Sequence, residues 1–164
     1  MRRFAGFTAL FLLFAFSPVM GLAKTAVAKQ QEPPVIRAVL FRADWCANCR
    51  ILEPILEKAM QQAADIPVEL ITLDFTNAAD WDQSVEIALD HNVVKTYNAY
   101  AGITGLVVLT SADTGERIDC INRTFTASAM VHTMKQAVTA AQSLPQGHRD
   151  RNSAFCPPGR APLN

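Results

Sequence analysis

Apolar positions along this chain fall into blocks whose spacing changes from block to block. Val35–Phe41 is a mostly apolar run of strand length, as a buried strand requires. From Cys46 to Ala63 the residues Ile51, Leu52, Ile55, Leu56, Ala59, Met60 and Ala63 recur at helical spacing, with Pro54 inside the run as an expected kink. Val68–Leu73 reads as a second buried strand between Pro67 and Asp74. Asn77–Leu89 reads as a second helix with Asn77 as N-cap and Trp81, Val85, Ala88 and Leu89 on its inner face. The stretch from Asp90 to Gly105 has no clear period. Leu106–Leu109 predicts a third strand, Ser111–Gly115 a turn, and Arg117–Ile121 a strand pairing back as a hairpin. In the last helix, Thr126–Ala141, the residues Met130, Val131, Met134, Ala137, Val138 and Ala141 face the core. Residues 144–164 are rich in proline, glycine and charge and read as a flexible tail. No internal repeat is visible.

The order is β-α-β-α-β-β-α. A strand–helix–strand start requires a parallel pair with a right-handed crossover, and the late hairpin adds an antiparallel edge. The expectation is an α/β fold with a four-stranded mixed sheet flanked by helices on both faces. It is built by one domain over residues 35–143.

The N-terminus changes the setting. Arg2 and Arg3 precede a 13-residue uncharged run, Phe4–Phe16, interrupted at Ser17-Pro18 and followed by the small-residue site Ala26-Val27-Ala28. Residues 1–28 read as a signal peptide and 29–34 as a polar linker. The rival reading is an uncleaved anchor, since the uncharged stretch approaches the roughly 20 residues that cross a bilayer. Both readings put the domain outside the cytoplasm, in the periplasm or beyond, where disulfides persist. Without residues 1–28 the chain has 12 basic and 15 acidic residues, a balance that excludes a nucleic-acid binder.

The candidate chemistry lies in Trp45-Cys46-Ala47-Asn48-Cys49-Arg50. Two thiols three positions apart at a helix start can close a small disulfide ring. The first sits where free backbone N–H groups and the helix dipole favour a thiolate, the attacking species in thiol–disulfide exchange. A zinc site would need a second close pair, which Cys120 and Cys156 do not form. Covalent haem attachment would need histidine where Arg50 stands. No metal and no organic cofactor is implied. His91, His132 and His148 have no ligand spacing among them. Cys120 and Cys156 make the cysteine count even, and three readings stay open for them: a disulfide tying the tail to the hairpin, two free thiols, or an intermolecular role.

The segment "VLFRADWCANCRILEPILEKA" resembles the active-site segment of thioredoxins, with tryptophan before the first cysteine, a basic residue after the second, and proline at position 54. Its Ala43-Asp44-Trp45-Cys46 run is also similar to the C-terminal domain of the bacterial transmembrane disulfide reductase. The resemblance extends to about Ala141 and implies the thioredoxin fold. There are three departures from the pattern. Leu40 stands where thioredoxins bury an aspartate. The family's cis-proline is missing and its position falls at Thr104, or at Val107 in an ungapped alignment. A cis bond without proline costs about 2.5–4 kcal/mol, so a trans peptide is expected. The dipeptide between the cysteines is Ala47-Asn48.

The resemblance implies a thiol–disulfide oxidoreductase that reduces protein disulfides, with Cys46 attacking and Cys49 resolving, and the N-terminal segment implies its export. A membrane-embedded electron donor is then expected as partner. Trp45 is expected as an apolar cover beside the thiols, Arg50 as a charge near them or a surface residue, and Thr104 as part of the substrate groove. Tyr97 and Tyr100 either line that groove or pack in a loop. Two rival functions stay open: a non-catalytic binding module of the same fold, and a metal-handling protein using the dithiol.

Overall fold

The structure is a computed structural model and describes residues 33–160. The signal-peptide reading, the first four residues of the linker and the last four residues of the chain lie outside the described residues.

The elements are β1 (Ile36–Arg42), α1 (Ala47–Gln62), β2 (Val68–Asp74), α2 (Ala78–Asp90), α3 (Val94–Tyr100), β3 (Leu106–Ser111), β4 (Arg117–Asn122) and α4 (Ala127–Ser143). They form a four-stranded sheet in the order β2-β1-β3-β4. β1 and β2 are parallel, while β1–β3 and β3–β4 are antiparallel. This is the expected mixed sheet with one further helix. The unperiodic stretch after Asp90 contains α3, a single short helix too brief to show a hydrophobic repeat.

Alternation along β1 divides the core in two. Ile36, Ala38 and Leu40 pack with Leu52 and Leu56 of α1 and with Met130 and Met134 of α4. Val39 and Phe41 point to the other face, where they pack with Leu73, Phe75, Ala88 and Tyr100. The helices therefore cover both faces.

The inner face of α2 differs from the expectation. Ala88 is buried as expected, but Val85 and Leu89 are exposed and Ser84 is buried in their place. The reason is polar. The Ser84 hydroxyl accepts from the Asp74 N–H and donates to the Asp74 carbonyl, both at 2.8 Å, so the end of β2 pulls the serine inward. On α1, Ile51 is exposed while Leu52 and Leu56 are buried, and the helix runs unbroken through Pro54. Among the described residues no helix is long and apolar enough to cross a membrane.

The expectation of a loose tail is corrected for residues 144–160. Arg149 is buried; its Nη1 meets Asp113 Oδ1 at 2.6 Å and its N–H donates to Glu116 Oε1 at 3.0 Å. The Arg151 N–H donates to the Ile118 carbonyl at 3.0 Å, laying the tail along the edge of β4. Phe155 stands edge-on to Phe125, with centroids 4.7 Å apart. Cys156 is bonded to Cys120, and the Arg160 N–H reaches the Ala99 carbonyl of α3 at 2.9 Å. Charge in this segment reads as solvation in the sequence, but the β3–β4 turn supplies its partners.

Candidate active site

The Cys46–Cys49 pair sits at the mouth of the sheet, where β1 ends and α1 begins. The Cys46 N–H donates to the Ala43 carbonyl at 3.1 Å, closing the turn that leaves the strand. Cys46 is the N-cap of α1, in extended conformation, and its Sγ accepts from the Cys49 N–H at 3.1 Å. A sulfur thus takes the place of the oxygen that usually satisfies a free N–H at a helix start. A thiolate at Cys46 receives the same bond and the positive end of the helix dipole.

The two cysteines form a disulfide with Cα atoms 5.3 Å apart. Cys46 is 5% exposed and Cys49 1%, so the first sulfur-bearing residue lies nearer the surface. Trp45 is 60% exposed. Its indole N–H donates to the Thr76 carbonyl at 3.2 Å, and the Asp44 N–H donates to Thr76 Oγ1 at 2.9 Å. The loop after β2 therefore holds the turn before Cys46, and the tryptophan is fixed at one edge while its face stays open.

Opposite the disulfide lies the entry to β3. No cis peptide bond occurs among the described residues, as expected without proline. Thr104 is half-buried in this turn, but the closest approach belongs to Gly105. It has φ +79°, its N–H donates to the Phe41 carbonyl at 2.8 Å, and a β-carbon built on it would stand 3.5 Å from Cys46 Sγ. Val107 is fully buried and packs on the α1–α4 face, away from the two cysteines, so it is not the residue facing them. Sequence reasoning missed Gly105. The signal was present as a glycine just before a strand, in the segment where the family's proline was sought.

Other candidates separate cleanly. Arg50 is exposed on α1 and lines a groove of 550 Å³ with Glu53, Glu57 and Leu70, floored by Leu40 and Leu56. Leu40 thus lies under α1, in the core with Leu52 and Leu56. Tyr100 is buried in α3 with its hydroxyl bonded to Arg117, and Tyr97 packs near Phe75; both serve packing. Burial pushes the Tyr97 hydroxyl up, with Asp82 adding to the effect and Arg160 opposing it. Trp81 stands edge-on to Phe75 at 4.6 Å, as a helix-face core residue should. Cys120 is fully buried and its bond to Cys156 shows which of the three readings the structure takes.

A sheet of order β2-β1-β3-β4 with a Cys-x-x-Cys disulfide capping the helix after its central strand defines a thioredoxin-fold protein. The family model described as Thioredoxin matches residues 23–135, and the chain belongs to that family. Among solved structures it is similar to Trxlp from Edwardsiella tarda EIB202, at 17% identity over 63% of this chain and 85% of that one, with a TM-score of 0.41. It is similar to StoA from Bacillus subtilis, at 16% identity over 61% and 82%, with a TM-score of 0.43. The thioredoxin domain of the thiol-disulfide oxidoreductase BVU-2223 from Bacteroides vulgatus matches at 16% identity over 63% and 79%, with a TM-score of 0.42. No curated protein matches the chain.

Proposed function

We propose that this chain is an exported thiol–disulfide oxidoreductase that reduces protein disulfides through Cys46 and Cys49. The observation that carries the reading is the Cys46 sulfur as N-cap of α1, accepting the Cys49 N–H. In the reduced protein the Cys46 thiolate attacks one sulfur of a substrate disulfide. The substrate S–S bond breaks, its other sulfur leaves as a thiolate and takes a proton, and a mixed disulfide remains. Cys49 then loses its proton and attacks Cys46 Sγ. The second substrate sulfur leaves, and the Cys46–Cys49 bond has formed at the cost of two electrons passed to the substrate.

Returning the bridge to a dithiol needs two electrons from a donor. Outside the cytoplasm that donor is a membrane-embedded protein. Export is supported by the basic and apolar N-terminal segment and by Cys120–Cys156, a second bridge of the kind that persists in oxidising compartments.

The test is equilibration of the intact chain with glutathione buffers, followed by reduction of a disulfide-bonded protein substrate. A potential near the thioredoxin value of about −270 mV, and loss of reduction in Cys46→Ser, are expected. A potential near about −120 mV would reverse the direction of electron flow. Full function in Cys46→Ser would replace the enzyme by a binding module.

A further inference from the structure

Arg42 closes β1, four positions before Cys46, and its guanidinium meets three carboxylates from three parts of the fold. Nε lies 3.2 Å from Glu53 Oε1 on α1, Nη2 lies 2.5 Å from Asp44 Oδ1 in the turn, and Nη1 pairs with Asp74 Oδ2 at the end of β2. Asp74 in turn accepts from both the N–H and the hydroxyl of Thr76, the residue that receives the Asp44 N–H and the Trp45 indole. The Arg42 carbonyl accepts from the Phe75 N–H at 2.9 Å. One side chain thus ties the strand before the cysteines, the turn that carries them, the helix after them and the loop that grips Trp45.

We infer that Arg42 is a positioning residue for the redox pair, holding the Trp45–Cys46 turn and offsetting the negative charge of Asp44, Glu53 and Asp74 on the elements that flank it. The inference rests on the reading of Cys46 as the attacking sulfur. A planar guanidinium offers five donors in a rigid fork and can serve three acceptors in fixed directions; a lysine ammonium is a point charge on a flexible stem. As an ordinary partly exposed ion-pair cluster it would contribute little to stability. Its placement is what matters: Asp44 is two residues before Cys46, and Glu53 is one helical turn after Cys49.

The charge argument has a definite sign. Three carboxylates share one guanidinium, and without it all three stand uncompensated. The other charged side chains on these elements are Arg37 of β1, Arg50, Glu57 and Lys58 of α1, Glu69 of β2, and Asp80, Asp82, Glu86 and Asp90 of α2, with Arg160 of the tail beside Gly102. Negative charge near a thiol disfavours the thiolate. Losing Arg42 therefore raises the pH at which Cys46 ionises and makes the dithiol the less favoured partner of the disulfide. It also frees the turn from α1 and β2.

The experiment is alkylation of the reduced chain with iodoacetamide as a function of pH, for wild type, Arg42→Gln and Arg42→Lys, with circular dichroism confirming the fold. For Arg42→Gln the midpoint of the Cys46 reaction moves up, and its rate at neutral pH falls about three- to tenfold, as a shift of half to one pKa unit requires. Arg42→Lys recovers most of that midpoint through its charge. It does not recover the rate of substrate reduction, because it holds one carboxylate instead of three. A folded Arg42→Gln protein with the wild-type midpoint overturns the inference. If Arg42→Gln does not fold, Asp44→Asn in the exposed turn decides, since removing one carboxylate moves the midpoint down; an unmoved midpoint there also overturns it. A wild-type chain that reduces no protein disulfide would defeat the functional reading, while the midpoints would still decide the role of Arg42.

Discussion

Gly105 and Asn48 touch across the active site so closely that a β-carbon on Gly105 would stand 2.6 Å from the Asn48 Cβ. The entry to β3 and the dipeptide between the cysteines have no space for a side chain between them. The backbone at Gly105 also has a positive φ, which costs an L-residue about 1–2 kcal/mol. Gly105→Ala should therefore lower the thermal midpoint by several degrees and disturb the Cys46–Cys49 bridge. Gly147 makes the control, because it shares a positive φ of +84° but has nothing within 4 Å of a built β-carbon. If scanning calorimetry shows Gly105→Ala to be no worse than Gly147→Ala, the close approach plays no part.

The two disulfides should open in order. Cys120 is fully buried in β4 and Cys156 half-buried in the tail, whereas Cys46 caps a helix start that favours it as a thiolate and so eases opening of its bridge. Limiting dithiol should reduce Cys46–Cys49 first, with Cys120–Cys156 intact until the domain unfolds. Mass spectrometry after alkylation reads the order, and early labelling of Cys156 would contradict it. Cys156→Ser opens a loop of sequence separation 36 and should cost about 2–4 kcal/mol in denaturant unfolding.

Leu40 places hydrocarbon under α1 where thioredoxins resemble one another in burying an acid. Resolution of the mixed disulfide should then be slow at neutral pH and should rise with pH as a larger fraction of Cys49 becomes thiolate. Leu40→Asp should speed it at neutral pH while costing a few kcal/mol of stability. Stopped-flow fluorescence of Trp45 follows the step. A wild-type rate independent of pH would show that another base already acts.

Asp113 gives the acid limb a testable shape. The hydrogen bond from Arg149 holds its carboxyl below the usual range, against the opposing effect of burial. A depressed folded value stabilises above the unfolded value of about 3.9 and is lost as pH falls through the folded value. Asp113→Asn should be less stable than wild type at neutral pH and equal to it in strong acid. The side chain is half exposed, so the difference should be small and should shrink with salt. A gap that stays constant from neutral pH into acid would remove Asp113 from the account.

α1 and α4 were legible because each buries a continuous apolar stripe, the strands because their apolar runs have strand length, and the redox pair because its spacing and its tryptophan are local. Three things were not. α3 is too short for its period to emerge. Ser84 turned α2 by a hydrogen bond to β2, which no hydropathy pattern encodes. The tail was read by composition as solvated, yet Arg149 and Cys156 find partners more than thirty residues away in sequence. The same limit hid Gly105, whose meaning appears only when Asn48 is brought against it.

The tail also bears on self-association. β4 is a terminal strand of the sheet, and such a strand offers unpaired N–H and C=O groups to any passing chain. The Arg151 N–H occupies the Ile118 carbonyl, and the bond from Cys120 to Cys156 keeps that guard in place. A protease cut after Ser143, once Cys120–Cys156 has been reduced, should therefore do more than shorten the protein. It would leave β4 as a template for a strand from a second molecule, and the clipped chain should form oligomers at concentrations where the intact chain does not.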